Sequence, residues 1–449
     1  MTTTDPSNYI VAVIGAGPAG LYAARQLASE GVQVILLNRD IKPGGLAEYG
    51  IYYTKHKMKA GLRKQFRQIM EIPEIHYYGN VMVGETCDIK LDDLRALGVQ
   101  AILVSVGAQG TKWLGLPGED LKGVYHAKDI VYHYNKLPPF STRDFYIGRR
   151  VALIGVGNVM VDIAHWVIRD LKVDEVIAVA RRGPAEVKFT KKEMEYVARN
   201  LDLKALDVEM DRIAERMVAV GQDPEAAKAY LLAALPKAVE PVSDTHFRFD
   251  FLASPTRILG DSEGKVCGLE VEDTRLVPKD GDTKARGIGT KRILDVETVI
   301  FCIGDKVDDD FGLPVQWNEF VKNPEPSFPV DGVSYEVYNP ETDEPLEGTF
   351  VAGWSREASS GLVGVARKDG ESGAQAILAY LQQGIEPSAD PGGVFASLED
   401  LLAKCSKRII HKEDVFRLEA IEEAEAGRLG LEEYKMKTNE EMLEAIGVE

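Results

Sequence analysis

The chain has 449 residues, 45% of them hydrophobic and 28% charged, with a formal net charge of −18. At ~150 residues per domain there is room for about three domains, or for two unequal ones with one interrupting the other. The acidic balance argues against a nucleic-acid partner, the lack of any run of ~18 apolar residues argues against a membrane span, and four scattered cysteines (Cys87, Cys267, Cys302, Cys405) without a CxxC argue against a disulfide scaffold, a zinc or iron–sulfur site and a dithiol centre.

The polar start MTTTDPSNY carries neither a signal peptide nor an Arg-rich transit pattern, so a reduced, cytoplasmic compartment is expected. IVAVIGAGPAGLYAARQL (10–27) then reads as strand, tight turn and helix, and the strand VQVILLN (32–38) follows the helix-ending Gly31. In the turn, Gly15 permits the sharp bend and Gly17 lets the backbone approach a pyrophosphate. Gly20, beyond Pro18 and Ala19, lets the helix pack close to its strand, and the helix N-terminus supplies positive dipole. This context makes the motif a nucleotide site rather than a plain turn. Asn38 stands where an acid usually bonds the adenosine ribose.

KHKMKAGLRKQFRQIM (55–70) holds Lys55, Lys57, Lys59, Arg63, Lys64 and Arg67 without one acid. It reads either as a solvated helix face or as a dock for an acidic protein. An apolar strand, AILVSVGA (101–108), closes the first region, and residues 109–145, with Leu137-Pro138-Pro139, read as irregular linker.

A second strand–turn–helix begins at Arg150: VALIGVG, then a helix through 170, then EVIAVARRG (175–183). Its turn is Gly155-Val156-Gly157-Asn158-Val159, with Met160 in place of a third glycine, which sets the helix slightly off its strand. Arg181 and Arg182 occupy the ribose position. Two arginines there suit bidentate, charge-assisted bonds to a 2′-phosphate, which points to NADP(H) for the second turn and leaves FAD for the first.

Residues 192–239 are helical and alanine-rich, and 246–300 alternate as strands with turns at GDSEGK (260–265) and KDGDTK (279–284). TVIFCIG (298–304) and GTFVAGW (348–354) are buried strands. After the second come glycines and small residues, then the helix ESGAQAILAYLQQG (371–384) with Glu371 in its first turn; the segment reads either as a helix N-terminus aimed at an electron-rich ring edge such as that of a flavin, or as an ordinary loop. The last ~50 residues are charged and helical.

Together GAGPAGLY (15–22), GGLAEYGI (44–51), GNVMVG (79–84), VGNVMVDIA (156–164), ARRGPAEVKFTKKE (180–193), AGW (352–354) with its following SSGLVGVARKDG, and the tail KTNEEMLEAIG (437–447) resemble the adrenodoxin-reductase type of ferredoxin–NADP reductase, a branch of the two-dinucleotide-binding-domain flavoproteins. The resemblance covers nearly the whole chain. It implies an α/β protein of two Rossmann-like, three-layer dinucleotide-binding domains, with the NADP domain (109–344) inserted into an FAD domain made of 1–108 and 345–449. FAD would meet Gly15, Gly17, Pro18, Ala19, Gly20, Asn38, Gly45, Leu46, Val83, Trp354, Gly361, Leu362 and Val363. NADP(H) would be held by Gly155, Val156, Gly157, Asn158, Val159, Arg181, Arg182 and Glu193, with Gly361 facing the nicotinamide.

Three departures stand beside that pattern. Asn38 replaces a glutamate, IYYTKHK displaces a histidine by one position after Gly50, and SREASS replaces a lysine–arginine–glycine–proline run. The chemistry implied is hydride transfer from NADPH to flavin and then single electrons to an acidic, ferredoxin-like iron–sulfur protein, or the reverse, with no catalytic side chain needed. Two other readings are a flavoprotein subunit of a larger complex, similar to the small subunit of glutamate synthase, and a non-catalytic flavin-binding regulator. The N-terminal iron–sulfur cysteines of the former are missing from this sequence.

Overall fold

Ile10–Ile14 (β1) is buried on both faces: Val11 and Val13 belong to one core, Ile10, Ala12 and Ile14 to another. That is the mark of a central strand in a parallel sheet covered on both sides. In the computed structural model, which describes residues 6–359 and 361–447, β1 leads through a turn to the helix Pro18–Ser29 (α1), and on to Gln33–Asn38 (β2). The short helix Leu46–Tyr49 (α2), the helix His56–Met70 (α3), and the strands Ile75–Gly79 (β3) and Ala101–Val104 (β4) follow. β1 pairs in parallel with β2 on one side and β4 on the other, so chain order reverses at β1. Part of the polar start and Ser360, within the altered segment 355–360, lie outside the described residues.

The second unit repeats the plan. Its strands are Val124–His126 (β5), Arg150–Ile154 (β6), Glu175–Ala180 (β7) and His246–Phe251 (β8), with Asn158–Arg169 (α4) between β6 and β7, and Leu203–Val218 (α5) before β8. Three antiparallel strands follow, Ala253–Gly260 (β9), Val266–Lys279 (β10) and Asp282–Leu294 (β11), then Thr298–Phe301 (β12). The parallel sheet runs β5-β12-β6-β7-β8, with the glycine-turn strand β6 in the middle. The antiparallel sheet covers one face, Ile258, Leu269 and Val271 packing with Ala152, Ile154, Ile177 and Val179. α4 lies on β6 and β7.

The chain then returns to the first unit through Glu336–Asn339 (β13) and Glu344–Val351 (β14), which extend the first sheet to β13-β14-β4-β1-β2-β3. The helices Val363–Leu381 (α6), Pro391–Leu402 (α7), Lys412–Leu429 (α8) and Asn439–Ala445 (α9) complete it. Among the described residues no helix is long and apolar enough to cross a membrane.

The α/β class and the parallel sheets agree with the sequence reading, but the crossings differ in place. One compact unit is Met1–Thr111, Tyr134–Thr142 and Gly304–Glu449, the other Lys112–His133 and Arg143–Ile303. The return therefore comes at 303/304 rather than 344. β12 is the last strand of the second sheet, and Asp305–Lys306 immediately pairs with Gly110–Thr111 in the first unit. Nor are residues 134–142 plain linker. Leu137 is buried, Ser141 donates to the Lys437 carbonyl, and the Tyr134 ring meets that of Tyr52 at a tilt, centroids 5.3 Å apart. α6 begins at Val363, so Glu371 lies inside the helix, where it bonds Arg25 of α1 at 2.6 Å.

Candidate dinucleotide sites

The two glycine turns are built alike. Gly15 has φ +103° and Gly155 φ +124°, a left-handed region that favours glycine. A Cβ on Gly15 would lie 2.5 Å from the Ser105 carbonyl oxygen beyond β4, and one on Gly155 2.4 Å from that of Cys302 beyond β12. Each turn is thus pressed against the neighbouring strand at the point where strand order reverses, the place where α/β sheets bind ligands. By contrast, a Cβ on Gly17 or Gly157 would meet nothing within 4 Å. The N-cap of each helix opens onto space, with backbone N–H groups available for a pyrophosphate.

The third glycine has a packing reason. A Cβ on Gly20 would come within 1.9 Å of the Gly15 carbonyl oxygen and 2.5 Å of Ser105 Oγ. In the second turn Met160 takes this position and is fully buried. These geometries predict opposite outcomes for two substitutions. Gly20→Ala forces backbone apart and should cost about 1–3 kcal/mol of stability, seen in a thermal melt with loss of bound flavin. Gly157→Ala, at φ −103° beside open space, should leave the melt unchanged and weaken NADPH. Equal melting losses would contradict this account.

Around the first turn the structure brings several expected residues together. Gly44 donates its N–H to the Ala16 carbonyl at 2.7 Å, and a Cβ on Gly45 would reach Gly17 Cα at 3.1 Å. Ala19 lies under Gly353 and Gly370: added Cβ atoms there would come 2.7 Å from its Cβ and 2.1 Å from its carbonyl oxygen. Pro18 opens α1, and Leu46 opens α2 half-buried. Val83 is buried in the core that also holds Ile14 and Leu37. Trp354 is half-buried, whereas Leu362 is 71% exposed beside Gly361 (φ +73°), with Val363 starting α6.

Asn38 is committed within the fold. Its Oδ1 accepts from the Ala16 N–H at 3.1 Å, and its Nδ2 donates to the carbonyls of Asp40 and Lys42 and to the Tyr77 hydroxyl. It ties the turn to the loop that follows β2. The sequence also gave no sign of Asp369, which accepts from the Gly353 N–H at 2.6 Å and pairs with Arg356 and the Tyr335 hydroxyl. Asp369 fixes the loop after β14. Asp369 lies 15 positions after the Gly353-Trp354 pair, too far along the chain for a local rule to link them.

In the second turn, Asn158 Oδ1 accepts from the Thr190 N–H at 2.8 Å, and the Lys188 N–H donates to the Val156 carbonyl at 2.8 Å, so the segment after the arginines is held against the turn. Val159 is 42% exposed, and the Glu193 N–H donates to Thr190 Oγ1 at 3.2 Å. The arginines differ. Arg181 is exposed and makes no ion pair among the described residues, while Arg182 pairs with Asp282 at 3.1 Å.

The basic segment 55–70 forms α3, but it does not present all its charges outward. Lys59 is 1% exposed and donates to Asn135 Oδ1 at 3.1 Å. Arg63 makes two 2.6 Å bonds to Glu48 and also reaches Glu433. These two are corrections to the expected dock: positions 59, 63, 66 and 70 share one helical face, and Phe66 and Met70 place that face in the core. Lys57 and Lys64 remain exposed, with Lys55 half-buried.

Lys59 and Arg63 of α3 join Lys42 and Lys435 in a buried cluster with Glu48, Glu422 and Glu433. Burial would raise the Glu48 pKa, but Lys435, Lys42 and Arg63 outweigh it and hold the carboxyl well below the usual range. Burial lowers Lys435 to about 7, despite the pull of Glu48. The four thiols are free, and burial raises the pKa of Cys302.

The match to known proteins follows this geometry. Residues 9–231 match the family model described as pyridine nucleotide-disulphide oxidoreductase. NADPH-ferredoxin reductase FprA of Mycobacterium leprae is 28% identical over 407 residues, 83% of this chain and 84% of that protein. The human mitochondrial NADPH:adrenodoxin oxidoreductase is 27% identical over 479 residues, 97% of this chain and 92% of its own. In fold, the chain superimposes on Mycobacterium tuberculosis FprA in complex with NADPH with a TM-score of 0.80 at 24% identity, covering 98% of this chain and 99% of that one. The resemblance drawn from the motifs therefore holds along the chain: it has the two-domain fold of the pyridine nucleotide-disulphide oxidoreductases and is a homologue of the NADPH-ferredoxin and NADPH:adrenodoxin reductases.

Proposed function

We propose that the chain is an FAD-dependent NADPH–ferredoxin oxidoreductase, taking hydride from NADPH and passing single electrons to an iron–sulfur protein, or running in reverse. The observation that carries this reading is the pair of matching glycine turns, each with open space at its pyrophosphate position; the strand after the second is followed by the pair Arg181-Arg182, whereas the strand after the first is followed by the single Arg39, which pairs with Asp40 at 3.1 Å. Its homologues are named for the same chemistry. Bound FAD supplies two-electron acceptance and one-electron release. The chain supplies the rest. The N-terminus of α1 and the Gly44–Gly45 loop would hold the flavin nucleotide, with Trp354 and the Gly361–Val363 backbone toward the ring. The turn 155–159 would hold the NADPH pyrophosphate, with Arg181 and Arg182 at its 2′-phosphate.

An acidic ferredoxin-like partner fits the exposed Lys57 and Lys64, the lysines of α3 that do not enter the buried cluster. Reversing both, Lys57→Glu with Lys64→Glu, should slow ferredoxin reduction about tenfold at low salt and flatten its salt dependence. NADPH-dependent dye reduction and the melting temperature should not change. Unaltered ferredoxin kinetics would leave these lysines a solvated face. A protein that reduces dye with NADPH but no ferredoxin, and copurifies with a large subunit, would favour the complex-subunit reading. We place the reaction in the cytoplasm, a reading supported by four free thiols.

A further inference from the structure

Arg181 and Arg182 are neighbours in sequence but not equals in the fold. Arg182 Nη1 donates to Asp282 Oδ1 at 3.2 Å, to Oδ2 at 3.1 Å and to the Thr283 carbonyl at 3.3 Å. Asp282 opens β11, directly after the turn Asp280-Gly281, whose residues have φ +50° and +79°. This left-handed pair makes a tight hairpin turn and aims the tip of the β10–β11 hairpin back at the loop after β7. A second tie fixes the approach: Thr283 Oγ1 donates to Glu186 at 2.5 Å, and Gln222 Nε2 donates to the same carboxylate at 2.6 Å. Arg181 uses only its backbone here, its carbonyl accepting from Thr274 Oγ1 at 2.7 Å.

We propose that Asp282 is a specificity-setting residue: it partly neutralises Arg182, so a coenzyme 2′-phosphate is read mainly by Arg181 and shares Arg182 with this carboxylate. The inference rests on the reading that this loop takes the 2′-phosphate of NADPH. Asp282 stays ionised beside it. Its backbone bond from the Thr283 N–H, then Arg182 and Lys188, keep its carboxyl below the ordinary value. The Asp282 side chain is 72% exposed, so its effect on a nearby phosphate is a screened, salt-dependent repulsion rather than a steric block. NADH, lacking the phosphate, has nothing for Asp282 to repel.

The test compares three proteins, wild type, Asp282→Asn and Arg181→Ala, by KM and kcat with NADPH and with NADH at low and high salt. Asn keeps the shape and the acceptor oxygen of Asp282 and removes only its charge. Asp282→Asn should lower the NADPH KM about three- to tenfold at low salt, with the gain shrinking at high salt and with kcat and both NADH constants unchanged. An unchanged NADPH KM, or a raised one, overturns the role of Asp282, provided that Arg181→Ala still weakens NADPH selectively. If Arg181→Ala instead weakens NADPH and NADH alike, the 2′-phosphate reading fails, and the role of Asp282 with it.

Discussion

Arg181→Ala is expected to raise the NADPH KM about 10–100-fold while moving the NADH KM less than about twofold. A charge-assisted hydrogen bond is worth about 1.5–3 kcal/mol, and about 1.4 kcal/mol is tenfold in affinity. Arg181 has no competing carboxylate to give up, since it carries no ion pair among the described residues. Arg182→Ala should cost less, since its guanidinium is already matched by Asp282. Replacing both should approach the sum only if the two do not share the phosphate. Steady-state kinetics with both coenzymes decides the matter. Equal losses for NADPH and NADH would remove the 2′-phosphate from this loop.

Glu48→Ala is expected to destabilise the first unit by about 3–5 kcal/mol, although Glu48 lies in no glycine turn. Its side chain is 3% exposed, and it receives Arg63 at 2.6 Å and Lys435 at 2.7 Å, with Lys42 at 3.8 Å. Removing it strands these cations away from water, leaving Glu422 and Glu433 as their ion-pair partners among the described residues. Glu71→Ala is the control: its pair with Arg67 is exposed at the surface and should cost less than about 0.5 kcal/mol. The pH dependence has a definite sign. The folded Glu48 carboxyl titrates below its unfolded value of about 4.3, so its contribution is complete above that pH and is lost as pH falls through the folded value. Lys435, lowered to about 7 by burial, works on another window. The unfolded chain binds that proton more readily, so between about 7 and 10.4 its share of stability rises with pH. Urea melts of wild type and Glu48→Ala, carried from about pH 2 to about pH 10, test both statements. A Glu48→Ala loss no larger than that of Glu71→Ala would contradict the buried-cluster account.

The glycine turns were legible because each rule acts within a few residues: a strand of buried apolar residues, a left-handed glycine, a helix. Features set by distant partners were not. Lys59 and Arg63 read as surface charge because Glu433 lies some 370 positions away; only the shared helical face with Phe66 and Met70 hinted otherwise. The start of α6 was hidden by Gly364, Gly370 and Gly373. Glycines weaken a helix prediction, yet Gly370 is there so that α6 can approach the Ala19 carbonyl. The return crossing at 303/304 turns on the pairing of Asp305–Lys306 with Gly110–Thr111, too short to leave any periodic signal. Asn38 stood where a ribose ligand is expected, but Ala16, Lys42 and Tyr77 claim its amide.

The most direct test of the account is the visible spectrum of the purified protein, titrated anaerobically with NADPH and, separately, with NADH. Flavin absorption in the untreated protein, bleached by near-stoichiometric NADPH and only by much higher NADH, is the predicted result. A colourless protein, or a flavin that NADPH fails to bleach or that both coenzymes bleach alike, would contradict the assignment of one turn to FAD and the other to NADPH.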